Sequence, residues 1–166
     1  GWLAYTLSKS EQLTSGRNIS EPGINNGEWY NTPYDKTHDL SVNAVYELSS
    51  KWKFNTNFLL QTGQPTNYPV GQYEFQGLNV PIYNDNQRNA NRLPTYHRLD
   101  LSATLTPVKN NNRDLQAEWV FGIYNIYNRK NAASIAFSRN TETSANEAIK
   151  TSIFGIVPSI TYNFKF

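Results

Sequence analysis

The sequence contains no cysteine and few charged residues, and each of these features excludes some classes of protein. Without cysteine there is no disulfide framework and no thiolate zinc site, although this absence does not identify the compartment. Charged residues make up 17% of the chain, below the roughly 25% of ordinary globular domains. The net charge of +2 and the lack of a lysine–arginine run argue against a nucleic-acid partner.

The chain also lacks a long apolar run. No stretch of about 18 apolar residues is present, which excludes a transmembrane helix. Hydrophobic residues make up 38% of the 166 residues and the mean hydropathy is −0.64, whereas aromatic residues reach 14%. The missing charge is replaced by Asn, Gln, Ser and Thr. A barrel wall with one face toward lipid and one toward water has this mixture, and its strands need only about 9–11 residues.

Six segments alternate apolar and polar residues with a period of two, which is typical of half-buried strands. They cover 3–8, 39–48, 52–62, 98–106, 115–124 and 154–166. Even-numbered residues form the apolar face of the second, third and sixth segments. The fifth segment is a candidate to continue, after an irregular stretch, into 134–137. Pro158 falls inside the sixth segment, where it marks either a bulge or the point at which the strand leaves a membrane.

The connections between these segments alternate in length. Two are short, at 49–51 and around 107–114, whereas those over 10–38, 63–97 and 138–152 are long. Structureless loops of more than about 15 residues are uncommon in compact soluble domains. Transmembrane barrels combine short periplasmic turns with long extracellular loops. The pattern therefore favours an all-β, antiparallel transmembrane barrel, with a soluble β-sandwich as the alternative.

The placement of aromatic and charged residues supports the barrel. Tyr46 and Trp52 flank the 49–51 turn, where an aromatic girdle is expected. The opposite strand faces carry charges that suit a hydrated lumen: Asp39, Glu47, Lys53, Arg98, Asp100 and Glu118. Because the smallest such barrels have about eight strands, six do not close one. The first residues, Gly1 to Thr6, already follow a strand-like pattern, so we expect the chain to be a segment of a longer polypeptide.

Several stretches share their order and residue types with a known family. They are 1–11 (GWLAYTLSKSE), 26–30 (NGEWY), 34–41 (YDKTHDLS), 61–65 (QTGQP), 92–102 (RLPTYHRLDLS), 118–121 (EWVF), 124–131 (YNIYNRKN) and 154–166 (FGIVPSITYNFKF). Together they resemble the barrel end of TonB-dependent outer-membrane receptors of Gram-negative bacteria. The closest resemblance is to receptors that carry a carboxypeptidase-regulatory-like domain before the plug. It covers nearly the whole chain.

The resemblance implies that residues 1–166 are the C-terminal, roughly six-stranded segment of a barrel of about 22 strands with a plugged lumen. The plug and N-terminal domains would then lie outside this chain. It implies a multi-pass protein of the cell outer membrane that takes up a ligand, energised by TonB through the N-terminal region. The implied partners are membrane lipid, the remaining strands and plug, a surface lipoprotein and the outer-membrane assembly machinery.

Two other functions remain open at this stage. One is a structural or assembly-related barrel subunit of a larger outer-membrane complex. The other, more distant, is a small porin completed by another chain. The sequence does not name a transported substrate.

The two histidines are the first candidates for a metal site. His38 and His97 each lie shortly before an Asp-Leu-Ser, at 39–41 and 100–102. A metal would need further ligands, which the sequence does not supply. We therefore interpret them as a repeated pattern at the start of two strands that run in the same direction. Asp100 is then expected to share the lumen with Asp39 and to pair with Arg98.

No residue pattern indicates catalysis. Nucleophilic catalysis needs a nucleophile, a base and an orienting group in one place, and neither histidine has a convincing serine partner. Glu47 and Glu118 fit solvation of a polar lumen better than a pair of catalytic carboxylates. We expect no enzymatic activity and no cofactor.

The long connections are rich in aromatic groups that can stack on and hydrogen-bond a sugar or a peptide. The ligand-binding candidates are Trp29, Tyr30, Tyr34, Tyr68, Tyr73 and Phe75. Packing of the loops on one another uses the same residue types and is the alternative that composition favours.

The C-terminal aromatic residues generate a prediction about assembly. Tyr162, Phe164 and Phe166 share one face and resemble the signal read by the assembly machinery, which can pair an amphipathic edge strand with an open sheet. We expect Phe166→Asp to lower the amount of folded barrel in the outer membrane, measured by heat-modifiable gel mobility of the full-length protein. Lys165→Glu is the matched control, because it changes charge on the opposite face. Equal folded yields for the two variants would contradict the assignment.

Overall fold

The computed structural model describes residues 1–84, 86–107, 116–140, 142–143 and 145–165, without the side chains of Gln116 and Lys165. The all-β class predicted from the sequence is confirmed. In chain order the strands are β1 (Trp2–Leu7), β2 (Glu11–Gln12), β3 (Tyr30–Asn31), β4 (His38–Glu47), β5 (Trp52–Gln61), β6 (Pro65–Thr66), β7 (Gly71–Phe75), β8 (Leu78–Ile82), β9 (Asn91–Arg92), β10 (Tyr96–Leu105), β11 (Gln116–Tyr124), β12 (Ala132–Arg139), β13 (Asn146–Ser152) and β14 (Val157–Lys165). Residues Ile24–Gly27 form a short irregular turn in which Asn25 and Asn26 both have a left-handed φ of 57°. Within the described residues, no helix has the length and apolar character needed to cross a membrane.

Six strands form one antiparallel sheet in the order β1-β4-β5-β10-β11-β14. These strands coincide closely with the six alternating segments, which confirms the period-two interpretation. Strands β4, β5 and β10 have ten residues each, and β11 and β14 have nine. The long connections all leave from one end of the sheet, whereas β4 and β5 are joined at the other end by the short turn at 48–51.

The pairing register places most of the apolar side chains of the six strands on one face, with Val45, Leu59 and Val120 among the exceptions on the other. Val42 pairs with Phe58, which in turn pairs with Leu99, so three apolar residues are adjacent across three strands. Further along the sheet, Phe121 pairs with both Ala103 and Ile160. Successive side chains of a strand point to opposite faces, so this register also collects the polar residues on the other face.

No second layer covers the apolar face among the described residues. The chain exposes 12,099 Å² to solvent, whereas a folded monomer of its 19.0 kDa exposes about 8,400 Å². Large apolar residues in the sheet remain exposed, such as Ile160 at 68%, and among the described residues Tyr30 is the large hydrophobic side chain that is buried. The described part of the chain therefore lacks the packed interior of a soluble β-sandwich.

The long connections contain local structure that the sequence analysis did not predict. Four two-stranded sheets lie in them: β2–β3, β6–β9, β7–β8 and β12–β13. The expected continuation of the fifth segment into 134–137 is wrong, because these residues belong to β12, which pairs with β13 in a separate hairpin. The alternating residues that had suggested a continued strand instead face the two sides of this hairpin.

The last strand begins later than predicted. It starts at Val157 rather than Phe154, and Phe154 has a left-handed φ of 56° that interrupts extended structure. Pro158 pairs with Ile123 in an uninterrupted register, so the bulge interpretation is wrong and the proline lies at the strand's beginning. A proline is tolerated there because it lies at the second residue of a strand that has one neighbour in the described sheet. Phe166 and most of the expected 107–114 turn lie outside the described residues.

Charge on the two sheet faces should have unequal consequences. Leu101 lies on the apolar face between Thr56 and Ile123, and its neighbour Ser102 lies on the polar face opposite Gly122. We expect Leu101→Arg to reduce the folded fraction of the full-length protein, with a cost of about 2–4 kcal/mol if that face meets lipid. Ser102→Arg is the control and should fold nearly as the parent does. Heat-modifiable mobility measures both, and similar losses for the two variants would show that the faces are equivalent.

Candidate functional site

The six predicted lumen residues do share one face of the sheet. Asp39, Asp100 and Glu118 pair across the strands with Gln61, Asn57 and Asn163, and all of these belong to the polar face. Near the 48–51 turn, Lys53 Nζ lies 2.9 Å from Glu47 Oε1. Both of these side chains are largely exposed, so their ion pair contributes little stability.

Arg98 is the centre of a polar cluster at the loop end of this face. Its Nε donates to Asp100 Oδ2 at 2.9 Å, which confirms the predicted pairing. Its Nη1 donates to the hydroxyls of Tyr96 at 3.1 Å and Tyr124 at 2.6 Å, and its guanidinium lies 4.0 Å above the Tyr124 ring. The second Asp100 oxygen accepts from the backbone N–H of Asn125 at 2.8 Å. The cluster thus fixes the start of the third long loop to the sheet.

A second series of polar side chains is hydrogen-bonded across β4 and β5, also at the loop end of the polar face. Lys36 Nζ donates to Gln61 Oε1 at 3.1 Å, and Gln61 Nε2 donates to Asp39 Oδ2 at 2.8 Å. Lys36 and Gln61 line a pocket of about 210 Å³ together with Gln64 and Tyr96. This pocket offers an ammonium, amides and a phenol to a small polar ligand.

The bases of the first two long loops are joined by a buried ion pair. Asp35 is 1% exposed, and its carboxylate accepts from Arg92 and from the backbone N–H of Ser10 at 2.7 Å. Arg92 Nη1 also donates to the carbonyl of Gly63 at 3.1 Å. A Cβ at Gly63 would lie 1.6 Å from the Leu93 carbonyl oxygen, so only glycine permits this close approach.

The ion pair keeps the Asp35 carboxylate charged. Burial by itself raises the pKa of this group, but the hydrogen bonds from Arg92 and Ser10 and the Arg92 charge outweigh burial. The pKa of Asp35 therefore lies below its ordinary value of 3.8. The sequence around Asp35 did not indicate that Arg92, 57 residues away, is its partner.

Buried asparagines join the loops to one another and to the sheet. Asn89 Nδ2 donates to the Asn31 carbonyl at 2.7 Å, linking the first and second loops. Asn125 is 1% exposed; its Oδ1 accepts from the N–H of Arg129 at 3.0 Å and its Nδ2 donates to the Arg129 carbonyl at 2.9 Å. Asn125 has a φ of 53°, which asparagine adopts more readily than most residues. Asn131 bonds both the N–H and the carbonyl of His97.

Both histidines lie on the apolar face at its loop end, and each has a tyrosine partner. His38 Nδ1 is 2.8 Å from the Tyr5 hydroxyl, and His97 Nδ1 is 2.8 Å from the Tyr127 hydroxyl. The strands they begin, β4 and β10, run in the same direction, as predicted, because both are antiparallel to β5. No group of three or more His, Cys, Asp or Glu residues that could hold a metal occurs in the described ranges.

The predicted ligand-binding aromatics differ in exposure. Trp29 and Tyr34 are exposed in the first long loop, and Tyr73 and Phe75 are exposed on β7 in the second. Tyr30 is 5% exposed and its hydroxyl bonds Gln12 and Thr14, so in this structure it packs within the first loop. Tyr68 also packs within the loops: its ring is 5.1 Å from Phe137 and its hydroxyl donates to the Arg92 carbonyl.

Comparison with known proteins gives no match: no family model, no curated protein and no solved structure is significantly similar to this chain.

The Asp35–Arg92 ion pair should control the order of the first two loops. Asp35→Asn leaves the half-buried guanidinium without its anion, and breaking a buried pair costs roughly 3–5 kcal/mol; we expect the lower end because Arg92 is still 29% exposed. Limited proteolysis of the full-length protein should then cleave these loops faster. Glu11→Gln, which breaks the exposed pair with Lys9, is the control and should leave the rate unchanged. Equal rates for both variants would show that the pair is dispensable.

Proposed function

We propose that this chain forms part of the wall of an outer-membrane β-barrel that serves as a receptor and transporter. The observation that carries the proposal is the uncovered apolar face of a single-layer sheet whose opposite face is polar and charged. In water such a face has to be covered by protein. A lipid bilayer covers it without any further layer, and the polar face then lines a hydrated lumen.

The dimensions of the sheet fit this proposal. Strands of nine or ten residues match the 9–11 residues that a tilted barrel strand needs to cross a bilayer. From His97 to Leu105 the strand β10 advances by about 26 Å at roughly 3.3 Å per residue. With a tilt of about 40° this distance corresponds to a height of about 20 Å, close to the apolar band of about 25 Å in such barrels.

Amphipathic aromatic residues lie at both ends of the apolar face. At the turn end, Trp119 pairs with Leu105 and with Tyr162, and the Trp119 and Tyr162 rings are 4.6 Å apart. At the loop end lie Tyr5 and Tyr127 with their histidine partners. Two such rows are expected where a membrane protein meets the head groups of each leaflet.

The transport role is proposed from the resemblance together with the polar face. A TonB-dependent receptor of about 22 strands would place Arg98 and its partners along the passage below the long loops. These groups satisfy one another by hydrogen bonds, which favours a passage wall over a catalytic centre. A plug and a TonB-box in the intact gene product would support energised uptake, and their absence would support a structural subunit.

Spin labels on adjacent residues of β5 test the membrane proposal. Phe58 lies on the apolar face and Asn57 on the polar face. In the full-length protein, a label at Phe58→Cys should be accessible to molecular oxygen but not to a water-soluble nickel chelate, because oxygen concentrates in lipid. A label at Asn57→Cys should be accessible to the nickel chelate. A label at Phe58→Cys that neither reagent reaches would mean that protein covers this face, and the proposal would fail.

A further inference from the structure

We propose that Arg129, together with the Tyr127–His97 pair, binds the phosphate of an anionic lipid headgroup at the loop-side rim of the apolar face. The inference rests on the proposed function, because this rim meets head groups only if the sheet lies in a bilayer.

His97 lies at the boundary between the apolar face and the loops. His97 pairs with Leu60, so its side chain belongs to the apolar face, at the second residue of β10. Its Nδ1 is fixed by the Tyr127 hydroxyl, and the two ring centroids are 5.5 Å apart. Among the described residues Nε2 has no hydrogen-bond partner, so the ring can present this nitrogen to a ligand.

Arg129 provides a positive charge that the described protein does not neutralise. Its Nε donates to Asn131 Oδ1 at 3.2 Å and its Nη2 donates to the Thr95 carbonyl at 3.1 Å, and both acceptors are neutral. Within the described ranges, none of the ion pairs involves Arg129. The side chain is half-buried, and a guanidinium in such a position is stabilised by an anion.

The charge lies beside the Tyr127–His97 pair. Arg129 is close enough to both rings to interact with them electrostatically. One positive charge and the remaining donor of the Tyr127–His97 pair therefore lie together at one rim position, which suits a phosphate with its several acceptor oxygens.

The backbone that carries these groups is held rigid by buried asparagines. Asn125 closes the turn at 125–129 through both of its side-chain atoms, and Asn131 bonds both backbone groups of His97. The turn is also tied to the sheet by the bond from the Ile126 N–H to the Leu99 carbonyl at 2.9 Å. Because the donors are already positioned, little conformational entropy is lost when an anion binds.

The other tyrosine–histidine pair provides an internal comparison. Tyr5 and His38 repeat the hydrogen bond of the same length on the same face, but their neighbouring cations are engaged elsewhere. Lys9 pairs with Glu11 at 2.8 Å, and Lys36 donates to Gln61 on the polar side. The first pair therefore has the geometry of the proposed site without its free positive charge.

A lipid rather than a soluble anion is favoured by what surrounds the site. Directly below His97, the apolar face continues through Leu99 and Phe58, where acyl chains of the same lipid can lie. The proposed ligand is therefore a phosphate that is covalently attached to acyl chains.

Binding can be measured with the folded full-length protein in uncharged maltoside micelles. The probe is phosphatidylglycerol with a fluorescent acyl chain, and phosphatidylcholine with the same chain is the zwitterionic comparison. We expect Arg129→Gln to weaken phosphatidylglycerol binding about tenfold, the loss of one charge-assisted contact. Arg129→Lys should retain most of the affinity because it keeps the charge, and His38→Gln should bind as the parent does.

Three results would contradict the proposed binding site. Unchanged binding by Arg129→Gln, or an equal loss in His38→Gln, would show that the rim cluster does not recognise the headgroup. Displacement of the lipid by inorganic phosphate at equal concentration would assign the cluster to a soluble anion. Because the spin labels at positions 57 and 58 report on the membrane face independently, failure here is distinguishable from failure of the proposed function. The folded fraction of each variant is checked first by heat-modifiable mobility.

Discussion

The cross-strand register of the central sheet is the constraint on which the other features depend. Strands β5 and β10 pair over ten consecutive residues, and β4 pairs with β5 over nine. Side chains alternate between faces, so a slip of one residue in any pair would move a charged row onto the apolar face. The register therefore creates the apolar face and the polar face together. It also brings the ends of the strands to the same heights, where the aromatic rows and the loop bases are found.

The loops depend on the same sheet, but buried polar groups rather than apolar packing hold them. Asp35, Asn89, Asn125 and Asn131 are the buried polar residues of the described chain, and all lie in or between the long connections. No buried side-chain nitrogen or oxygen among the described residues lacks a partner. In such a network a group that loses its partner is costly, so a satisfied network specifies one arrangement of the backbone. In the described part of the loops, buried polar groups thus contribute more to the order than the few buried apolar side chains such as Tyr30.

The sheet was predictable from the sequence because alternation is a local signal. Each of the six strands contains enough alternating residues to predict its position to within a few residues, and His38 and His97 indicated that two strands run in parallel directions. The loop contacts were not predictable, because their partners are far apart in sequence: Asp35 and Arg92 are 57 residues apart, and Asn131 and His97 are 34 apart. Short hairpins such as β12–β13 were missed for a related reason, since periodicity alone does not show which strand a segment pairs with.

The two edges of the sheet are available for pairing with further strands. Strands β1 and β14 each have one neighbour in the described sheet, so one edge of each is unpaired. In water an unpaired edge can be solvated, but inside a bilayer each unsatisfied backbone group costs several kcal/mol. If the apolar face lies in lipid, both edges have to pair with further strands, and closure removes both edges together. Strand β14 carries its aromatic side chains on the apolar face and offers nine residues at its free edge to such a partner.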